Sequence, residues 1–360
     1  MLTNKNDRDE GSYEVPLVQW EELYRAGDAF YQLAPWGWMA DDDLFALVDP
    51  RIPEPLFGCV MGQQEEHLAL AGYLGEMGMR GYFRIATGNH DESMGEMLGV
   101  QHCLMASFED RNILEPHDRN IIASLNRRYR GKHAWPLFRE YKPGFFPWFL
   151  TPTQIAWLTT LLEQSLIVAE YARENKEGLS RACWTEGKIL TRVLRNVRDK
   201  NSWETIWLPF DPETYANMGA APLWQATKTD LSNLAHMINQ NESLMGTFEI
   251  EVFFGSMFVQ ERNDMRPYFP PIVLIVDHDS GFILGTTVTE QTHEIPQAII
   301  RELEKIISTH KARPRHLLVK QRELYTLLEP LEEQTTVTCE MVDWLPGCQE
   351  AKKSLNTFSG

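Results

Sequence analysis

Cysteine is scarce and scattered in this chain. The 360 residues hold five, Cys59, Cys103, Cys183, Cys339 and Cys348, far apart and never as C-x-x-C. An odd number without close pairs excludes a disulfide framework and the usual zinc spacings, and it fits free thiols in a reducing cytosol. No apolar run reaches the ~20 residues that span a bilayer, and the opening "MLTNKNDRDEGS" has no apolar core of a secretory signal, so a cytoplasmic protein without membrane contact is expected. Self-similarity at solenoid periods is lacking. So are G-x-S-x-G, the phosphate loop G-x-x-x-x-G-K-[ST] and a G-x-G-x-x-G following a strand, which removes the commonest hydrolase, nucleotidase and dinucleotide-binding classes. Positive charge is short as well: 34 Lys and Arg against 51 Asp and Glu leave −17. Such a body repels phosphate backbones and disfavours general nucleic-acid binding.

The charge is unevenly spread. Residues 1–110 hold 20 acids against 6 bases, whereas residues 111–142 hold 8 bases against 3 acids. Hydrophobic content of 43% with 24% charged residues is a globular balance, and the length suggests two or three domains. Residues 1–15 read as a disordered tail. Residues 16–178 read as an acidic α+β module, opening on an amphipathic helix (Trp20, Leu23, Tyr24, Phe30, Tyr31) that "APWGW" stops, with strands at "DLFALVDP", "LFGCVMG" and "EEHLALAGYLG". The stretch 111–150 reads as loop-rich. A long helix then starts at Thr151 as N-cap with Pro152 behind it and runs to about Glu174, with Gly178 as its stop.

Residues 179–266 read as a β-rich middle region, with hairpins at "KILTRVLRNV"/"WETIWLPF" and within "TFEIEVFFGSMFVQ" around a helix near 228–240. Residues 267–360 read as a C-terminal α/β module of order ββαβαβα with a mixed sheet. The expected class is therefore α+β, multidomain.

The segments "APWGWMADDDLFALVDP", "CVMGQQEEHLALAGYLG" and "YKPGFFPWFLT", with "VDHDSGFILG", "ARPRHLLVK" and "WLPGCQEA" further on, resemble an uncharacterised two-module group of bacterial proteins. That resemblance implies a bacterial cytosolic protein and transfers no catalytic residue. The C-terminal part is also loosely similar to the ribonuclease-H-like fold, an antiparallel meander continued through αβαβα. Its enzymes hold two divalent metals on acids at strand ends. Asp277 matches the first acid, but only two strands are legible before the first crossover helix, and Lys320 and Gln321 stand where the second acid belongs.

Four clusters could carry chemistry. Asp277, Asp279 and Asp343 could serve a magnesium-dependent nuclease or phosphatase, although Asp277 and Asp279 also suit a plain turn before Gly281. Asp41, Asp42 and Asp43 lack the alternating ligands of a calcium loop and suit a turn beside Trp36 and Trp38. His90, Asp91, Glu92, Glu96, His102 and Cys103 are possible ligands at spacings that match no zinc motif, with Met77, Met79, Met94 and Met97 nearby as packing. The fourth is a basic aromatic stretch. Arg127, Arg128, Arg130, Lys132 and Arg139 interleave there with Tyr129, Trp135, Phe138, Tyr141 and Trp148. Guanidinium groups hold phosphate or carboxylate in two-pronged fashion, so Arg128, Arg130, Arg139, Tyr141 and Trp148 form the expected binding set. The alternative is a packed cover whose bases offset the acidic module. The functional expectation is a non-enzymatic binding or interaction protein, without cofactor, whose partner is a protein or a small anionic ligand.

Overall fold

A computed structural model describes residues 15–63, 67–87, 98–175, 178–199, 201–216, 231–262, 265–290 and 292–357. Apart from Val15, the expected tail lies outside them, as do His90, Asp91, Glu92, Glu96, Met94 and Met97. The described chain forms two sheets, of seven and five strands. None of its helices is long and apolar enough to cross a membrane.

The first sheet runs β5-β4-β3-β2-β1-β6-β7. Strands β1 (Phe45–Val48), β2 (Leu56–Met61), β3 (Leu68–Leu74), β4 (Cys103–Glu109) and β5 (Trp135–Tyr141) make an antiparallel meander. β6 (Lys188–Leu194) pairs parallel with β1, and β7 (Trp203–Pro209) closes the sheet as a hairpin on β6. Both faces of the central strands β1 to β4 are covered, so these are apolar on both sides rather than alternating. Phe45, Leu47, Leu56, Leu70 and Leu104 meet helix α1 (Leu17–Leu33) and the long helix Pro152–Glu174. Leu44, Ala46, Phe57, Ala69 and Ala71 meet the opposite layer, which includes α2 (Gly75–Thr87).

The glycine-rich stretch that follows the third strand, "GEMGMRGY", is this helix α2. Its glycines serve close approach: a Cβ on Gly81 would lie 2.0 Å from the Val100 carbonyl oxygen, so only glycine lets α2 settle against the segment entering β4. Residues 111–150 are loop-rich as expected, but not loop alone. They carry helix α3 (Pro116–Ser124) and edge strand β5, where Pro136 is tolerated because an edge strand has one unpaired side.

The second sheet runs β10-β9-β8-β11-β12. Its centre, β8 (Thr247–Phe254), pairs antiparallel with β9 (Pro271–Asp277) and parallel with β11 (His316–Val319). β10 (Ile283–Val288) and β12 (Thr338–Met341) are the edges. The third meander strand that seemed missing is therefore β8. The strands of residues 179–266 accordingly divide, β6 and β7 joining the first sheet and β8 the second; they do not build a third unit.

The two units meet along one seam. The Phe254 ring leaves no room for a side chain at Gly99 or Gly144, where an added Cβ would lie 2.2 Å and 2.6 Å from it. Phe146 stacks on Phe269, and the Phe145 and Tyr268 backbones form a β-bridge.

All five cysteines are buried, and none is in a disulfide. Burial pushes the Cys183 and Cys339 thiols up to about 12, and those of Cys59, Cys103 and Cys348 well above the usual thiol range. Thiolate is the reactive form, so the folded protein should leave all five unmodified by a disulfide reagent at about pH 8. Titration should give five equivalents only after denaturation, and rapid modification of the native chain would contradict this packing.

Candidate functional site

The acids of the C-terminal sheet do not converge. Asp277 pairs with Phe248 at the start of β8, whereas Asp343 follows Met341, which aligns through Val319 with Ile250. Three strand spacings and four residues of rise separate them by about 20 Å, far beyond the ~4 Å that two bridged metals require. Asp277 instead closes its turn. Its Oδ2 accepts from the Ser280 amide at 3.0 Å and from the Ser280 hydroxyl, and the Gly281 amide donates to its carbonyl at 2.8 Å. Gly281 supplies the left-handed φ of 69°. Asp279 is exposed at the same turn. Gln321, at the end of β11, bonds both the amide and the carbonyl of Val252.

The acids closer to the sheet centre are Glu249 and Glu251 on β8, both buried beneath the last helix, Pro346–Thr357. Sequence reasoning passed over them because β8 was not recognised as the central strand. Glu249 holds His278 Nδ1 at 2.6 Å and the Cys348 amide at 2.8 Å, and Glu251 holds Lys352 Nζ at 2.9 Å. These bonds fasten the last helix to the sheet.

Asp41, Asp42 and Asp43 are structural too. Asp43 accepts from the Ala40 and Ser180 amides at 3.0 Å each, and Asp42 from the Ser180 hydroxyl at 2.8 Å, which ties the first turn of helix Gly178–Trp184 to the loop before β1. Gly178 thus begins this helix rather than ending the previous one. Burial raises the Asp43 carboxyl above its ordinary value, partly offset by those amides. His102 and Cys103 sit at the start of β4, both shielded; burial lowers the His102 imidazole below its usual range. Among the described residues no group of three or more His, Cys, Asp or Glu could hold a metal ion.

The basic stretch is split by the fold. Arg139 is buried, with both guanidinium prongs on Asp118 at 2.9 and 2.7 Å and its plane over the Phe149 ring. Burial pushes the Tyr141 phenol up to about 12. Trp148 exchanges backbone bonds with Glu140 at 2.9 Å each way. These three members of the expected set belong to the seam and its supports.

Arg128 and Arg130 go elsewhere. With Arg111, Arg119, Arg127, Tyr129 and Trp135 they line a pocket of about 270 Å³ between the β4–α3 turn, the outer half of α3 and the loop entering β5. Exposure alternates along the loop, so successive residues face opposite ways. Arg127 and Tyr129 turn inward. Arg127 reaches Asp28 and, at 2.8 Å, Glu21, both on α1, and the Tyr129 hydroxyl donates to Asp28 at 2.9 Å. Burial lifts the Asp28 carboxyl above its ordinary value, against the pull of Tyr129 and Arg127. Arg128 and Arg130 face solvent. Left-handed residues at Asn126, Gly131 and His133 shape the loop, and the His133 amide donates to Asp110 at 2.9 Å. Arg111 lies over the Trp135 ring, 5.7 Å from its centroid, and Arg119 donates to the Leu114 carbonyl. Arg111, Arg119, Arg128 and Arg130 have no acidic partner among the described residues. Four guanidinium groups without acidic partners around one pocket suit an incoming anion.

A second, open cavity of about 760 Å³ lies beside Phe83, Cys183, Trp184 and Phe210. It is mainly apolar, and its Asp211 is occupied by Thr214 Oγ1 at 2.5 Å and the Glu213 amide at 3.1 Å.

Two family models match the chain. A Domain of unknown function (DUF7309) covers residues 20–192, from α1 into β6, and a second Domain of unknown function (DUF6930) covers residues 233–356, the whole five-stranded sheet. No curated protein and no solved structure matches. The chain is a two-module protein that joins these two domains of unknown function, the arginine pocket lying in the first.

Proposed function

We propose that this protein is a non-enzymatic binding protein of the bacterial cytosol that takes a small anionic ligand in the arginine pocket. The observation that carries this reading is the set of four arginines without acidic partners, on a chain of net charge −17. An acidic protein has ample carboxylate to pair them, and Arg127 beside them is paired twice. The loop is held before any ligand arrives, which lowers the ordering cost of binding. Five thiols free of disulfides support the reducing compartment.

Calorimetric titration with multivalent anions at low salt tests the reading. The Arg128→Glu/Arg130→Glu chain should bind at least about a hundredfold more weakly, taking roughly 1.5–3 kcal/mol for each charged hydrogen bond lost. Both side chains are exposed, so thermal melting should be unchanged within about 2 °C. Equal affinity of the two chains would overturn the site.

A further inference from the structure

Resting on that reading, we infer that the pocket recognises a short phosphoanhydride chain, as in inorganic triphosphate or the tail of a nucleoside triphosphate, and is indifferent to whatever organic group the chain carries. Charge comes first. A lone phosphate monoester brings about −1.5 to −2 at neutral pH and leaves half of four guanidinium groups uncompensated. A chain of two or three phosphoryl groups supplies the balance.

Placement agrees. The four arginines without acidic partners come from three directions: Arg111 from the turn after β4, Arg119 from α3, and Arg128 with Arg130 from the loop entering β5. Arg128 and Arg130 both face solvent from one loop, with the inward-turned Tyr129 between them. Their forks can therefore grip successive phosphoryl groups of one ligand rather than the same oxygens. A pocket of about 270 Å³ admits such a chain between the forks.

The aromatic rings explain the indifference. Trp135 has Arg111 over its face, and Tyr129 stacks on Tyr24 while its hydroxyl is held by Asp28. They form walls and offer a base no free platform. A long polyanion is disfavoured for another reason. Its flanks would leave the pocket and meet a surface whose first 110 residues carry 20 acids against 6 bases.

The test is calorimetry on the full chain without divalent cations, using phosphate, pyrophosphate, triphosphate, ATP, CTP and citrate. Affinity should rise about tenfold with each added phosphoryl group, and citrate should bind at least about tenfold more weakly than triphosphate. ATP and CTP should match triphosphate within about threefold, and all binding should vanish in Arg128→Glu/Arg130→Glu. Lys132→Glu, an exposed neighbour outside the pocket lining, should weaken triphosphate by less than about threefold, which separates a built site from a diffuse field. Citrate matching triphosphate, with both lost in the double variant, would overturn the phosphoanhydride inference and leave the anion site standing. ATP exceeding both CTP and triphosphate by tenfold or more would overturn the indifference to the base. Failure of every anion to bind would sink the anion-site reading itself.

Discussion

Replacing Arg266 with alanine is expected to destabilise the protein by about 3–5 kcal/mol, the range for breaking a buried ion pair from one side. Its side chain is 1% exposed, although it arises from the C-terminal half, and its three nitrogens are spent on the first module. Nε donates to the Phe146 carbonyl at 2.7 Å, one terminal nitrogen to Glu140 Oε2 at 2.6 Å and the other to the Glu140 carbonyl at 2.9 Å. Among the described residues, truncation would leave the buried Glu140 carboxylate with only Gln154 Nε2 to serve it. The effect should appear in calorimetry as a drop of roughly 10 °C and a separation of the two modules' transitions. Arg266→Lys should recover only part of the loss, since one ammonium cannot make three bonds in a planar fork. A combined Arg266→Met/Glu140→Gln change should be milder than Arg266→Ala alone, because no charge is then stranded. A melt within about 2 °C of the parent for Arg266→Ala would show that the seam is not held there.

What could be read from sequence was what local chemistry decides. The long helix begins at Thr151 and Pro152 and ends at Glu174 as expected, because its cap is local: Thr151 accepts from the Gln154 amide, and the Gln154 side chain answers to the Thr151 amide. The hairpin across "RDKNS" formed for the same reason. The affiliation of strands was not legible. β8 has no local partner; its neighbours come from residues 271–277 and 316–319, and a pairing at that distance leaves no periodic mark. Without it, the second sheet lost its central strand, and with it the buried Glu249 and Glu251.

The candidate site was half legible. The reversal of charge at residue 111 is plain in the chain, and Arg128 and Arg130 were named from it. Interleaved arginines and aromatics do not tell which of them face inward, however. That depends on the change from loop to paired strand between Arg130 and Trp135. Arg111 and Arg119 lay within the same basic window. Their place in the pocket depends on α3 folding back over β5, which sequence spacing does not reveal.

Arg139 shows how far the two readings diverge, because as partner-binding residues Arg139 and Trp148 could be replaced together with folding left intact. Buried as it is, Arg139→Ala should instead cost about 3–5 kcal/mol. Asp118 receives both prongs of Arg139 and also accepts from the Glu115 amide at 2.9 Å, so one carboxylate caps α3 and anchors it to β5. Without the guanidinium, Asp118 keeps the cap but becomes a buried, unpaired charge, and α3 loses its tie to the strand. Because α3 also presents Arg119 to the pocket, ligand affinity should fall together with stability, whereas Arg128→Glu/Arg130→Glu lowers affinity alone. Thermal melts paired with triphosphate titration separate the two patterns. In a double-mutant cycle, Asp118→Asn should recover part of the stability lost in Arg139→Ala by removing the stranded charge. An Arg139→Ala chain that melts like its parent yet binds nothing would return Arg139 to the ligand and overturn its place in the frame.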